Sequence, residues 1–491
     1  MAETGAEAIV LPASAETPAE TRDASKASPN SKASPNQVLG IVCVGICLAN
    51  LDLFIVNVGL PSIGRDFADA SLEDLSWILN GYAIAYAALL VFFGRLAERH
   101  RRDLSFLLGV GLFTAASAAC AVSSGIESLI AFRVVQAAGA ALMTPTSLGL
   151  LLASFPPEHR GGAVRTWTAV GGVAAALGPL VGGVLVTANW RWIFLVNVPI
   201  GLVAMLIGWR KLPEVRGHDV PRPSPWAAFL VTCGIGALTF TIVKVNDWGW
   251  FSRGIVWTTL ASIVLLALFV RHCLRSSNPF VDPALFRIRP FAGAALVMAP
   301  YSAAFGAMLL SIPLWQQTAW GWSALKTGLA IAPGPLLVPI TSLLFAGRLI
   351  ARFGAASVVT AGIAFFSAGL MLWASIIGSE PNMLAVVMGM VPIGIGVGLT
   401  FPTLMGVSAA SLPPSSFATG SGVINMIRQA SLAVGVALFV AIVDSPATLG
   451  ARVSAYHRGW WIMAAVTLLG LIPTFRLIRN ARPRPAAVEG R

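Results

Sequence analysis

Fourteen apolar runs of near-membrane length follow one another between residues 37 and 477. A helix needs about 20 apolar residues to cross a bilayer. Inside hydrocarbon, only helices or closed barrels satisfy their own backbone hydrogen bonds. The chain is therefore read as an all-α polytopic membrane protein. Composition agrees: 56% of the 491 residues are hydrophobic and 11% are charged, against about 25% charged in soluble domains. So few charges cannot coat a soluble globule of this size. Short Pro- and Arg-containing segments, such as 213–225 and 278–290, separate the runs.

The net charge of +12 would suggest nucleic-acid binding in a soluble chain. Here it reports orientation. With the N-terminus inside, the inward segments hold 24 of the 33 Lys and Arg, the outward segments and their edges seven, and Arg133 and Arg428 lie within spans. Basic residues mark the cytoplasmic side, so both termini are expected in the cytoplasm, and no nucleic-acid partner is expected. Trp190, Trp192, Trp209, Trp226, Trp248, Trp250, Trp460 and Trp461 fall near span ends, where indole rings anchor at headgroup level.

Residues 1–36 are rich in Ala, Ser, Thr, Pro and Glu with no apolar run. This predicts a disordered cytoplasmic tail with no signal peptide. The cysteines (Cys43, Cys47, Cys120, Cys233 and Cys273) lie in or beside apolar runs, and the five His fall in loops or at span ends. The thiols read as small buried hydrophobes, and no metal or other cofactor is expected. No cluster of His, Asp or Ser gathers at one membrane face, so an enzyme is not expected.

Asp52 is the one charge in the first run, 37–60. An ionised acid at the bilayer centre costs about 2.5–3.5 kcal/mol on insertion scales, so intramembrane acids are functional by default. Nine residues from the outer end of that run place it about 13 Å deep, where desolvation favours loading a proton. Its other reading is a helix-packing hydrogen bond. Arg133 lies roughly two turns into the fourth run at comparable depth, so the two are expected to interact. Snorkelling to the outer headgroups is the rival for Arg133. After Pro290 the acids are Glu380, Asp444 and Glu489, none of them deep in a span. Arg428 is the charge well inside the last six runs, open to an anion or to helix-end carbonyls.

Gly94-Arg95-Leu96-Ala97-Glu98-Arg99 closes the second run, and Gly347-Arg348-Leu349-Ile350-Ala351-Arg352 closes the tenth. An offset of eight runs fits two six-helix pseudo-repeats with two inserted central helices, a transporter architecture. Several segments together resemble the major facilitator superfamily, and its fourteen-helix drug:proton antiporter branch in particular. They are Leu51-Asp52-Leu53-Phe54-Ile55-Val56-Asn57-Val58-Gly59-Leu60-Pro61, the Gly94–Arg99 loop with Arg102, and Arg133-Val134-Val135-Gln136. Gly178-Pro179-Leu180-Val181-Gly182-Gly183 and Asn189-Trp190-Arg191-Trp192-Ile193-Phe194-Leu195-Val196-Asn197-Val198-Pro199 complete the set. The chain departs from the pattern at Glu98, Arg101 and Ala137, and at Asn425–Leu432, which keeps Arg428-Gln429 but lacks the paired Gly that usually follows.

The resemblance implies proton-coupled efflux of amphipathic or hydrophobic compounds by alternating access. Asp52 and Arg133 would serve proton coupling. Gly94, Glu98, Arg99 and Arg102 would form a cytoplasmic gate, with Gly94 allowing two helices to approach and Glu98 pairing with Arg99, Arg102 or a helix N-terminus. Gly178, Pro179, Gly182 and Gly183 would form the antiporter motif, a tight seam that limits leak. Asn57, Gln136, Asn197, Asn425 and Arg428 are expected to line the cavity. A facilitator or symporter of one metabolite is the alternative, and a non-transporting receptor a remote one. The expected units are the tail 1–36, a bundle at 37–210, linker helices at 211–289, a bundle at 290–478 and a tail at 479–491. The expected partners are a small-molecule substrate, protons and the lipid of a bacterial inner membrane. A monomer is expected, with periplasmic adaptor proteins as further partners.

Overall fold

Caps at the span boundaries start the helices. Pro35 follows Ser34, whose backbone N–H donates to Gln37 Oε1 at 3.2 Å. Ser71 and Asp74 exchange bonds at 2.9 and 3.1 Å, a reciprocal capping box. Asn382 accepts from the Ala385 N–H at 3.0 Å. The computed structural model describes residues 33–67, 70–217, 223–412, 417–444 and 448–478. The expected tails, apart from residues 33–36, lie outside the described residues.

Among the described residues, fourteen helices are long and apolar enough to cross a membrane, so this is a multi-pass membrane protein. The first six are α1 (Pro35–Asp66), α2 (Leu72–Arg99), α3 (Arg102–Ala121), α4 (Ile126–Ser154), α5 (Glu158–Ala188) and α6 (Trp192–Lys211). Next come α7 (Pro225–Trp248) and α8 (Arg253–Arg275). The last six are α9 (Arg289–Thr318), α10 (Ala324–Phe353), α11 (Ala355–Ile376), α12 (Met383–Ala410), α13 (Thr419–Val443) and α14 (Leu449–Ile478). No strand occurs among the described residues.

The packing of the first six helices recurs in the last six. In the first set α1 packs along α5, α4 and α6, α2 along α4, and α3 along α4 and α6. In the second α9 packs along α13, α12 and α14, α10 along α12, and α11 along α12 and α14. Glycines allow close helix approaches in both sets. A Cβ on Gly139 of α4 would lie 2.5 Å from the Phe113 backbone nitrogen of α3, and one on Gly396 of α12 would lie 2.7 Å from Gly362 O of α11. The sets meet where α2 packs on α13, α5 on α10 and α1 on α9. The pair α7–α8 covers one of these seams, with α7 against both α2 and α13.

Three details depart from the sequence reading. The first span is expected to end at residue 60, yet α1 continues through Pro61 to Asp66. Proline removes one backbone bond, and neighbouring helices compensate in a membrane bundle. Asp52 is therefore about 21 Å from the Asp66 end, not 13 Å, at 1.5 Å per residue. Second, α10 is not one regular helix: it breaks at Ala332 and holds a π turn at Thr341–Ala346, around Pro333, Pro335 and Pro339. Third, Trp190 and Trp460 are not interfacial anchors but buried, at 3% and 1% exposure. Trp190 Nε1 donates to Asp66 at 2.7 Å and Trp460 Nε1 to Ser311 at 3.1 Å. A partner for the indole N–H makes such burial affordable.

Candidate functional site

The faces of four helices enclose Asp52. Arg133 Nη1 donates to Asp52 Oδ2 at 2.5 Å and to Gln136 Oε1 at 2.6 Å. Gln136 Nε2 donates to Asp52 Oδ1 at 2.9 Å and to Ser117 Oγ at 2.7 Å. Asn197 Nδ2 reaches Asp52 Oδ1 at 3.4 Å. Arg133 and Gln136 share a face of α4 by their i, i+3 spacing, so one helix holds the carboxylate through both. Asp52, Arg133, Gln136, Ser117 and Asn197 are all fully buried.

The surroundings of the pair are apolar and aromatic. The Arg133 guanidinium lies 4.1 Å from the Tyr82 ring centroid and 5.8 Å from that of Phe194. Arg133 Nε also donates to Ile78 O at 3.3 Å. Snorkelling to the headgroups is thereby overturned: the side chain turns inward and its charge is paired. Gln136 and Asn197, expected on the cavity, belong instead to this closed network. Arg133 Nη2, Asn197 Oδ1 and the Tyr82 hydroxyl lie buried there without a hydrogen-bond partner.

The α5 motif lies on the opposite side of α1. A Cβ on Gly178 would come within 2.6 Å of Phe54 Cβ, and one on Gly182 within 3.0 Å of Ile55 O. Gly183 faces α10, where a Cβ would lie 2.8 Å from Ala324 O, and Gly328 of α10 abuts the Pro179 carbonyl. Gln317 Nε2 of α9 donates to Val58 O at 2.9 Å, and Phe54 meets Phe305 edge-on at 6.1 Å. Lys244 of α7 pairs with Glu73 of α2 at 2.6 Å, and Asn246 donates to Ala441 O of α13 at 2.7 Å. The seam between the two helix sets is thus closed on the face that carries Asp66.

The loop after α2 differs from the expected gate. A Cβ at Gly94 would meet Pro145 at an ordinary 3.7 Å, so no close approach requires glycine there. Among the described residues Glu98 makes no ion pair with Arg99 or Arg102. Arg102 Nη1 instead donates to Gly149 O at 3.4 Å, and the Arg99 backbone is covered by Gly217. Arg101, the departure from the motif, carries the pairing: its Nη2 contacts Asp103 at 2.6 Å and Glu214 at 3.2 Å. With the Arg102 N–H donating to Val215 O at 2.9 Å, this loop is stapled to the segment after α6. Sequence reasoning noted Arg101 as a departure but missed its role and that of Glu214, since a partner over a hundred residues away carries no local signal.

Arg428 and Asn425 share α13. Asn425 Nδ2 donates to its own helix at Ser421 O, 3.0 Å away. Arg428 is half-buried, its guanidinium 5.5 Å from the Phe401 ring centroid. Asn57 is buried and donates to Leu53 O at 2.8 Å, leaving its Oδ1 unpartnered. A groove of about 590 Å³ between α1 and α6, lined by residues including Gln37, Ile41, Pro199 and Lys211, lies apart from all of these groups. No group of three or more His, Cys, Asp or Glu able to hold a metal occurs among the described residues.

A family model described as the Major Facilitator Superfamily matches residues 42–436 and 294–491. The chain is 32% identical to a methylenomycin A resistance protein of Streptomyces coelicolor (strain ATCC BAA-471 / A3(2) / M145), over 91% of this chain and 93% of that one. It is 29% identical to a tetracenomycin C resistance and export protein of Streptomyces glaucescens, over 87% of this chain and 78% of that one. A crystal structure of an auto-inhibited POT family peptide transporter matches with a TM-score of 0.67 at 16% identity, covering 92% of this chain and 98% of that one. The last likeness concerns the fold alone.

Proposed function

The chain belongs to the major facilitator superfamily, and we propose that it is a proton-driven exporter of amphipathic or hydrophobic small molecules working by alternating access. Relatives that are resistance and export proteins support efflux. The observation that carries proton coupling is the sealed Asp52–Arg133 pair. A charge pair out of water is poor evidence of stabilisation, because desolvation offsets its attraction. Such a pair suits a switch.

The switch works through α1. On one side of this helix Asp52 is held by α4 and α6. On the other, Phe54, Ile55 and Val58 form the seam with α5 and α9. A proton on Asp52 removes the charge that Arg133 pairs with and lets the guanidinium turn to its idle contacts. The resulting shift of α1 is felt at the seam, so a local protonation biases a two-state element. The Asp66 face is read as the outer side by the loop-charge bias, which makes the arrangement inward-facing in the plasma membrane, with both termini cytoplasmic. The region of Gly94, Glu98, Arg99 and Arg102, tied through Arg101 to Glu214, opens and closes the cytoplasmic side.

The test is Asp52→Asn in everted membrane vesicles. We expect efflux driven by a pH gradient to be abolished while the protein stays in the membrane at normal amounts. Unchanged gradient-driven efflux would remove Asp52 from coupling.

A further inference from the structure

We propose that Arg428, together with Phe401, forms a subsite for the carboxylate of an anionic aromatic substrate, so that the exporter selects organic acids over cationic drugs. The inference rests on the exporter reading and names the substrate class of its central site.

Arg428 lies nine residues into α13, about 14 Å from its start at 1.5 Å per residue, and Phe401 lies at the same depth from the end of α12. A guanidinium keeps its charge at any physiological pH, so at this depth it needs a partner or a polar space. Among the described residues it makes no ion pair. The elements packed against α13 are α2, α7, α9, α12 and α14. They carry acids only near helix ends: Glu73, Asp74 and Glu98 on α2 and Asp247 on α7, with none on α9, α12 or α14. On α2, which packs against α13, the Tyr86 hydroxyl is hydrogen-bonded to Thr144 Oγ1 at 3.1 Å. Asp52 offers no compensation, being fully buried and already paired with Arg133. The field between the two helix sets is therefore positive.

Aromatic rings extend from this charge. Phe401 packs edge-on against Phe305 at 5.3 Å and against Tyr301 at 5.1 Å. Phe305 in turn meets Phe54 across the seam. A planar ring fits such edge-to-face surroundings, and a carboxylate on it takes the guanidinium's paired donors in the bidentate geometry that Arg favours. A cationic drug of the same shape meets like charge and no deep carboxylate.

The experiment compares 2-naphthoate, 2-naphthamide and 2-naphthylmethylammonium, one ring system in three charge states, on purified protein. Equilibrium binding without a gradient, followed by tryptophan fluorescence, reads the subsite; accumulation in proteoliposomes under a pH gradient reads coupling. Naphthoate should bind at least about tenfold more tightly than the other two, as expected for a hydrogen bond to a charged group. Arg428→Gln should bring the naphthoate-to-naphthamide ratio close to one, and Arg428→Lys should retain part of it. Equal affinities in the unsubstituted protein, or preference for the ammonium, would overturn the proposal whether or not the variants fold. If naphthoate binds with this preference but is not moved by a gradient, the subsite stands and the coupled-export reading fails.

Discussion

At the scale of single residues, the Asp52–Arg133 pair makes a prediction about stability separable from transport. Asp52→Leu leaves a fully buried guanidinium uncompensated, and breaking a buried pair in this way costs about 3–5 kcal/mol. Asp52→Leu combined with Arg133→Leu removes both charges, and apolar replacement of a buried pair is often neutral or better. The single variant should therefore unfold at a clearly lower temperature in detergent, and the double variant should recover most of that loss while remaining uncoupled. A double variant as unstable as the single one would mean that the pair holds the bundle together, contrary to a switching role. Asp52 and Arg133 were legible in the sequence because charge in an apolar run stands out. The places of Gln136 and Asn197 were not: in a bundle buried on several sides, a polar residue facing the interior of one helix set looks the same in sequence as one facing the space between sets.

At the scale of elements, the α5–α10 contact decides how tightly the Asp66 face closes. Gly183 and Gly328 let the two backbones touch, with no room for a Cβ. Gly183→Val forces them apart at an overpacking cost of about 1–3 kcal/mol, enough to shift a two-state equilibrium roughly 5–150-fold. We expect proteoliposomes carrying this variant to dissipate an imposed pH gradient several-fold faster in the absence of substrate. Gly172→Ala, on the same helix with nothing within 4 Å of the added methyl, should leave the rate unchanged. Equal rates for Gly183→Val and the unsubstituted protein would show that this contact does not limit leak. The glycine motif was legible in the sequence, but its second partner was not, because contact with Ala324 and Gly328 depends on how the two sets dock. Proline acts differently in different helices of the bundle. Pro61 does not end α1, whereas three prolines do disturb α10: one missing hydrogen bond is absorbed by neighbours, several within two turns are not.

At the scale of the whole molecule, the repeated packing of six helices makes the α2–α13 and α5–α10 seams counterparts, and α7 breaks their equivalence by bridging only the first. Its contacts with Glu73 and Ala441 lie on the same face as the Val58–Gln317 bond between α1 and α9. If the two sets rock against one another to expose the centre alternately, this face must open in every cycle, and α7 must stay with one set as the other moves. The repeat was legible from two short loop segments, since equal offsets imply equal topology; which seam the inserted pair covers was not, because both are apolar. A covalent tie across the face tests the motion itself. In a background with Cys43, Cys47, Cys120, Cys233 and Cys273 replaced by Ala, Val58→Cys with Gln317→Cys should be joined by a short thiol-reactive reagent forming disulfide links. The joined protein should bind substrate from the cytoplasmic side yet export none, and reduction should restore export to the level before joining. Export persisting in the joined protein would mean that the substrate leaves without this face opening. The single-cysteine variants treated in parallel report any effect of the reagent alone, so loss of export confined to the double variant ties transport to separation of α1 from α9.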